Sequence, residues 1–200
     1  MRCSRSPAGG CASRRSTSAA DRRGRDWAWR CTARRSFPRG GADDQVNQLL
    51  NEALKNELTA INQYWLHYRM LDNWGVKRLA EYERHESIDE MKHADRLAER
   101  ILFLDGLPNF QMLGRLRIGE TIEEVLRADL ELEREALGQL QGAIAHCESV
   151  RDYVSRELFE SILTSEEEHV DFLERQFDLI KQIGIERYVM LNAGAANHDE

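Results

Sequence analysis

His85-Glu86-Ser87-Ile88-Asp89-Glu90-Met91-Lys92-His93 decides how this chain is read. Residues three apart on a helix share a face, with about 5–6 Å between Cβ atoms, so Glu90 and His93 can reach one metal ion from the same side. A lone Glu-x-x-His is more often a solvated helical face. The pair gains meaning only if the rest of the chain supplies a second half.

That second half is Glu166-Glu167-Glu168-His169, another Glu-x-x-His in helical context. Around it the apolar residues Leu158, Ile162, Leu173, Phe177 and Ile180 form a seam whose steps of 3 and 4 continue through Glu166 and His169. Two more seams each carry a single carboxylate. Leu50, Leu54, Ile61, Tyr64, Tyr68 and Leu71 are interrupted by Glu57, and Leu126, Leu130, Leu137, Leu140, Ile144 and Cys147 by Glu133. A buried unpaired carboxylate costs several kcal/mol, so four facing one interior require cations.

The helices that carry these residues follow from the breakers between them. A first helix is expected over about 44–71, closed by Asp72-Asn73-Trp74-Gly75, and a second over about 77–104, closed by Asp105-Gly106-Leu107-Pro108. No proline lies between Pro38 and Pro108 or after Pro108, which leaves long uninterrupted stretches. Residues 105–119 lack a helical period and are long enough to cross the molecule. Thr121-Ile122-Glu123-Glu124 is a capping box opening a third helix, and Ser149-Val150-Arg151-Asp152 repeats that logic for a fourth. After Gly184 comes a short apolar piece from Ile185 to Met190. The expected fold is all-α: a ferritin-like four-helix bundle with one long crossover and a short C-terminal fifth helix.

One Glu from each of two helices and Glu-x-x-His from each of the other two is the ligand set of di-iron and di-manganese carboxylate proteins. Glu57, Glu90, His93, Glu133, Glu166 and His169 are therefore the expected metal ligands. Glu90 and Glu166 are expected to bridge two metals, with His93 and His169 each terminating one. Oxygen-rich ligation with two nitrogens suits iron or manganese better than copper or structural zinc.

Charge divides the chain. Residues 1–42 hold eleven arginines and two acidic residues, +9 against −7 for the whole chain, which leaves −16 for the remainder. So acidic a body argues against nucleic-acid contact, because phosphate binding needs a basic surface; it favours attraction of cations. The Arg- and Ser-rich segment 1–42 lacks hydrophobic period and is expected to be disordered on its own. It reads as an organelle leader, a basic tail, or an extension upstream of the true start, the last being the expectation, with one domain over 43–200. Three of four cysteines fall in it, which gives no disulfide framework and fits a cytoplasmic protein. No apolar run approaches membrane-helix length.

Asn56 through Tyr64, His85 through Arg96, and Ile101 through Pro108 make the chain resemble bacterioferritin over roughly residues 45–188. The resemblance implies a 24-subunit shell built from two-fold dimers that oxidises Fe(II) with oxygen or peroxide and stores Fe(III) mineral. It implies the same six ferroxidase ligands, and places Tyr64 beside them. His85 and Asp89 match residues that hold a further iron on the cavity side in some members. Met91 matches a methionine that, with its two-fold mate, ligates haem b between subunits; spacing says only that it points about 100° away from Glu90. A ferredoxin-type reductant for iron release is a further expected partner. The competing readings are a rubrerythrin-like peroxidase, a manganese catalase, and a haem-binding or DNA-protecting shell without enzyme activity.

Overall fold

A computed structural model of the protein describes residues 43–194. The Arg-rich segment 1–42 and the last six residues lie outside the described part. Five helices follow in order: α1 (Asp44–Asn73), α2 (Lys77–Phe103), α3 (Ile122–Val150), α4 (Tyr153–Ile183) and α5 (Ile185–Asn192). There is no strand among the described residues, and none of these helices is long and apolar enough to cross a membrane.

Three of the helices, α1, α3 and α4, start where a side chain satisfies orphan N–H groups, whereas α2 and α5 have no side-chain cap. Asp43 accepts from Gln45 N at 2.8 Å and Val46 N at 3.3 Å to open α1. Thr121 Oγ1 accepts from Glu124 N at 3.2 Å to open α3. The reciprocal bond of this capping box is displaced by one residue, for Glu124 Oε2 accepts from Glu120 N at 2.9 Å. For α4 the cap is Asp152, which accepts from Ser155 N at 3.0 Å. Ser149, read from sequence as the start of that capping motif, lies inside α3 and donates to His146 O. Arg151 in the left-handed region ends α3, with Asp152 N donating to Cys147 O at 2.9 Å, so one tight connection closes α3 and opens α4.

Short connections make α1–α2 and α3–α4 antiparallel pairs, each packed mainly within itself, and α1 also meets α3 while α2 meets α4. Residues 104–121 cross between the pairs. Four polar side chains on α1 accept the backbone N–H groups of that crossover: Asn51 from Asn109, Thr59 from Gly114, Gln63 from Arg117, and His67 from Gly119. An extended segment without a ladder of its own is thereby satisfied along the side of a helix.

Two large apolar clusters, with a small third of Ala60, Tyr64 and Leu132, fill the bundle. One contains Leu50, Leu54, Leu97, Ile101, Leu140, Phe159 and Ile162; the other contains Leu71, Leu79, Leu126, Leu130, Leu173 and Ile180, with Tyr188 of α5 sealed against it. Fully burying each such side chain contributes about 1.5–3 kcal/mol. On every long helix the polar seam residue falls between these clusters, so the carboxylates are fixed at mid-bundle by apolar packing above and below. Arg100 of α2 joins the pairs by donating to Ser155 Oγ at 2.8 Å and Asp152 Oδ1 at 2.7 Å on the far side of the core.

Candidate metal centre

Four helices deliver six carboxylate and imidazole side chains into one buried interior. Glu57 comes from α1, Glu90 and His93 from α2, Glu133 from α3, and Glu166 and His169 from α4, and none is more than 7% exposed. They divide into two groups whose ligand atoms lie within 4.8 Å of one another: Glu57, Glu90, His93 and Glu166, and Glu90, Glu133, Glu166 and His169. Glu90 and Glu166 belong to both.

The contacts show how they are shared. His93 Nδ1 lies 3.0 Å from Glu90 Oε2, 3.4 Å from Glu57 Oε2 and 3.4 Å from Glu166 Oε1. His169 Nδ1 lies 3.3 Å from Glu90 Oε1, 3.0 Å from Glu166 Oε2 and 3.9 Å from Glu133 Oε1. Each central carboxylate thus turns one oxygen toward each imidazole. Glu86, one turn before Glu90, lies in ion-pair contact with the far nitrogen of His169, on the side where a metal-ligating histidine finds its outer partner.

These groups fit cations and little else. Glu90 Oε1, both oxygens of Glu166 and Nδ1 of His169 are buried within ion-pair range of one another but without a well-formed hydrogen bond, an arrangement that a cation between them would satisfy. Burial, and then the charges of Glu90 and Glu166, push the carboxyls of Glu57 and Glu133 well above the ordinary value. Burial opposes the charge on His93, yet the carboxylates of Glu166, Glu57 and Glu90 outweigh it and push its pKa up to about 12. Protons occupy, in the metal-free protein, positions that divalent ions would take.

Tyr64, on α1, donates its hydroxyl to Glu133 Oε1. Burial and the neighbouring Glu133 and Asp129 carboxylates hold that hydroxyl well above its usual pKa, so it is a neutral donor. Met91 is 44% exposed and stands outside the cluster. His85 and Asp89 are also outside it, paired on the surface with Glu81 and Lys92 respectively.

Sequence reasoning missed a neighbouring polar group. His67, Glu83 and Asp129 are fully buried and mutually within 4.8 Å. The available signal was register, because Asp129 precedes Glu133 by one turn and Glu83 precedes Glu90 by two.

Two antiparallel helix pairs, a long crossover and a four-carboxylate, two-imidazole interior define the ferritin-like class. A family model described as the ferritin-like domain matches residues 47–183. The chain is 51% identical over 158 residues to a bacterioferritin of Brucella melitensis, covering 79% of this chain and 98% of that protein. It is likewise 51% identical over 146 residues to "Bacterioferritin BfrA" of Mycobacterium tuberculosis, covering 73% and 92%. With a bacterioferritin of Rhodobacter capsulatus it shares 49% over 151 residues, covering 76% and 94%. The chain belongs to the bacterioferritin family.

Proposed function

We propose that this chain is the subunit of an iron-storage shell of 24 copies and oxidises Fe(II) at Glu57, Glu90, His93, Glu133, Glu166 and His169. The observation that carries this reading is the double sharing of Glu90 and Glu166, each turning one oxygen toward His93 and the other toward His169. Membership of the bacterioferritin family supports it.

Two Fe(II) ions are the substrate, and each gives up one electron. With oxygen as oxidant the balance is two Fe(II), one O2 and two protons giving two Fe(III) and one hydrogen peroxide; peroxide itself accepts the same two electrons and yields water. His93 and His169 give up the protons on Nδ1 as iron arrives. The ionised carboxylates of Glu57, Glu90, Glu133 and Glu166 offset the charge of the ions, and more strongly so in a water-poor interior. Tyr64 fixes Glu133 through its hydroxyl and leaves one oxygen of that carboxylate for the metal. The apolar clusters on both sides exclude water and hold the ligand side chains in place.

Met91 would hold haem b together with its mate across a two-fold axis, and the haem would carry electrons for release of stored iron. Its fit rests on a thioether left 44% exposed beside a metal-binding turn, where an apolar side chain gains nothing from solvent. His85 and Asp89 extend the assignment to a surface iron site on the same helix. Residues 1–42 are assigned as an extension that precedes the ferritin-like domain.

The test is oxidation of Fe(II) in air by purified protein, with size-exclusion on the same sample. A large shell that consumes oxygen at about two irons per subunit supports the reading. A small species, or oxidation that Glu90→Ala and His169→Ala leave unchanged, overturns it.

A further inference from the structure

We propose that His67, Glu83 and Asp129 form a second buried cation site, taking one divalent first-row transition-metal ion through an imidazole nitrogen and two carboxylates. The three come from α1, α2 and α3, and each is 0% exposed. By helical rise the site lies about 6 Å along α3 from Glu133 and about 10 Å along α2 from Glu90. It is separate from the six-residue centre and stands whether or not that centre oxidises iron.

Both oxygens of Glu83 are buried with no hydrogen-bond partner. Among the described residues Glu166 is the other carboxylate with both oxygens in that state, and it lies at the heart of the six-residue centre. His67, which shares the cluster with Glu83, and Gln63 both turn to Asp129 instead. Gln63 Nε2 donates to Asp129 Oδ1 at 2.8 Å, while His67 Nδ1 lies 2.9 Å and 3.0 Å from the two Asp129 oxygens. A neutral Glu83 acid could donate one proton to Asp129, which would still leave its second oxygen bare. An ion among the three would meet a Glu83 oxygen directly, since each of the three residues offers one ligand atom within 4.8 Å of the others.

The surroundings are those of a ligand set. The 2.9 Å spacing of His67 Nδ1 from Asp129 matches the 3.0 Å spacing of His93 Nδ1 from Glu90. Asp129 is held from behind by Gln63, whose Oε1 accepts from Arg117 N at 2.8 Å, so the carboxylate is anchored to the crossover. His67 Nε2 lies 3.4 Å from Gly119 N; ligation through Nδ1 would move the ring proton to Nε2 and open this long contact. Two carboxylates and a divalent ion leave no net charge in the core. Without the ion, burial and the charge of Asp129 push the Glu83 carboxyl well above its ordinary range. One nitrogen and hard oxygens, with no thiolate, suit manganese, iron or zinc.

Zinc is the probe. Crystals of the intact shell equilibrated with a small molar excess of Zn2+ should give, above the zinc edge, an anomalous peak between His67, Glu83 and Asp129, distinct from any peak at the six-residue centre. Glu83→Gln, an isostere that can still donate to Asp129, should lose this peak and leave the others. No peak there in the parent protein at saturating Zn2+ overturns the proposal and makes the cluster a hydrogen-bonded one. A peak that survives Glu83→Gln overturns it as well. The parent map decides the matter even if the variant does not fold.

Discussion

Glu166 of α4 places Oε1 3.4 Å from Nδ1 of His93 on α2, so that the two Glu-x-x-His motifs meet in space. Each motif thereby brings a carboxylate to the other's imidazole, and neither helix pair holds all six groups. The relation makes Glu166 and Glu90 the residues on which most depends. Glu90→Ala and Glu166→Ala should each slow Fe(II) oxidation more than the roughly 10–100-fold typical of losing an outer-shell partner. Glu57→Ala or Glu133→Ala, touching one side only, should cost less. Stopped-flow absorbance of Fe(II) oxidation checks the order.

Metal-free protein should lose stability as pH rises. Glu57 and Glu133 have folded-state pKa values raised above their ordinary 4.5, and His93 is raised from 6.5 to about 12. A raised value means that the folded state binds the proton more tightly. The resulting stability is fully present below the ordinary value and fades as pH climbs through the raised one. Bound divalent metal replaces those protons, so its stabilisation grows with pH instead. Calorimetry with and without Mn2+ between about pH 5 and 9 should show melting temperatures that diverge with pH; parallel curves would contradict the site.

Removing a buried ligand should also stabilise the metal-free fold. Glu57→Leu exchanges a carboxyl, buried beside the Glu90 and Glu166 carboxylates with His93 only partly offsetting them, for an apolar side chain beside Leu54 and Leu58. The melting temperature of the variant should rise without metal and respond less to added Mn2+ than that of the parent.

Met91→Leu should abolish the absorbance of bis-methionine haem and leave iron oxidation within about two-fold of the parent, because Met91 lies outside the ligand cluster. Haem retained by that variant would remove Met91 from the assignment.

At the far end of the bundle, Asp152 both caps α4 and binds Arg100. Asp152→Ala should destabilise the subunit by about 1–2 kcal/mol, most of it from the lost cap, since the pair is partly exposed. A thermal shift assay on the metal-free protein measures it.

The helices and the shared burial of the six candidate ligands were legible because polar residues at core positions break a 3–4 apolar rhythm, and Glu57, Glu133, Glu166 and His169 do this on three separate seams. His67, Glu83, Glu86 and Asp129 were not, although Asp129 lies one turn before Glu133 and Glu83 two turns before Glu90, because a carboxylate in such a register is equally common on a solvated helical face. Their burial is created by the crossover and by the neighbouring helix. The start of α4 was misread for a related reason: Ser149 is a good cap in isolation, but α3 continues past it until Arg151 turns left-handed. Nothing about assembly is visible in the period of a single chain, so Met91 gained a role from the resemblance alone.

The most direct test of the central claim is a titration of metal-free shell with Fe(II) in air, following the fast phase of oxidation by absorbance. Two shared carboxylates predict that its amplitude rises linearly and breaks at about two irons per subunit, and that Glu90→Ala shows no fast phase. Growth without a break, or a fast phase that persists in Glu90→Ala, would contradict the account.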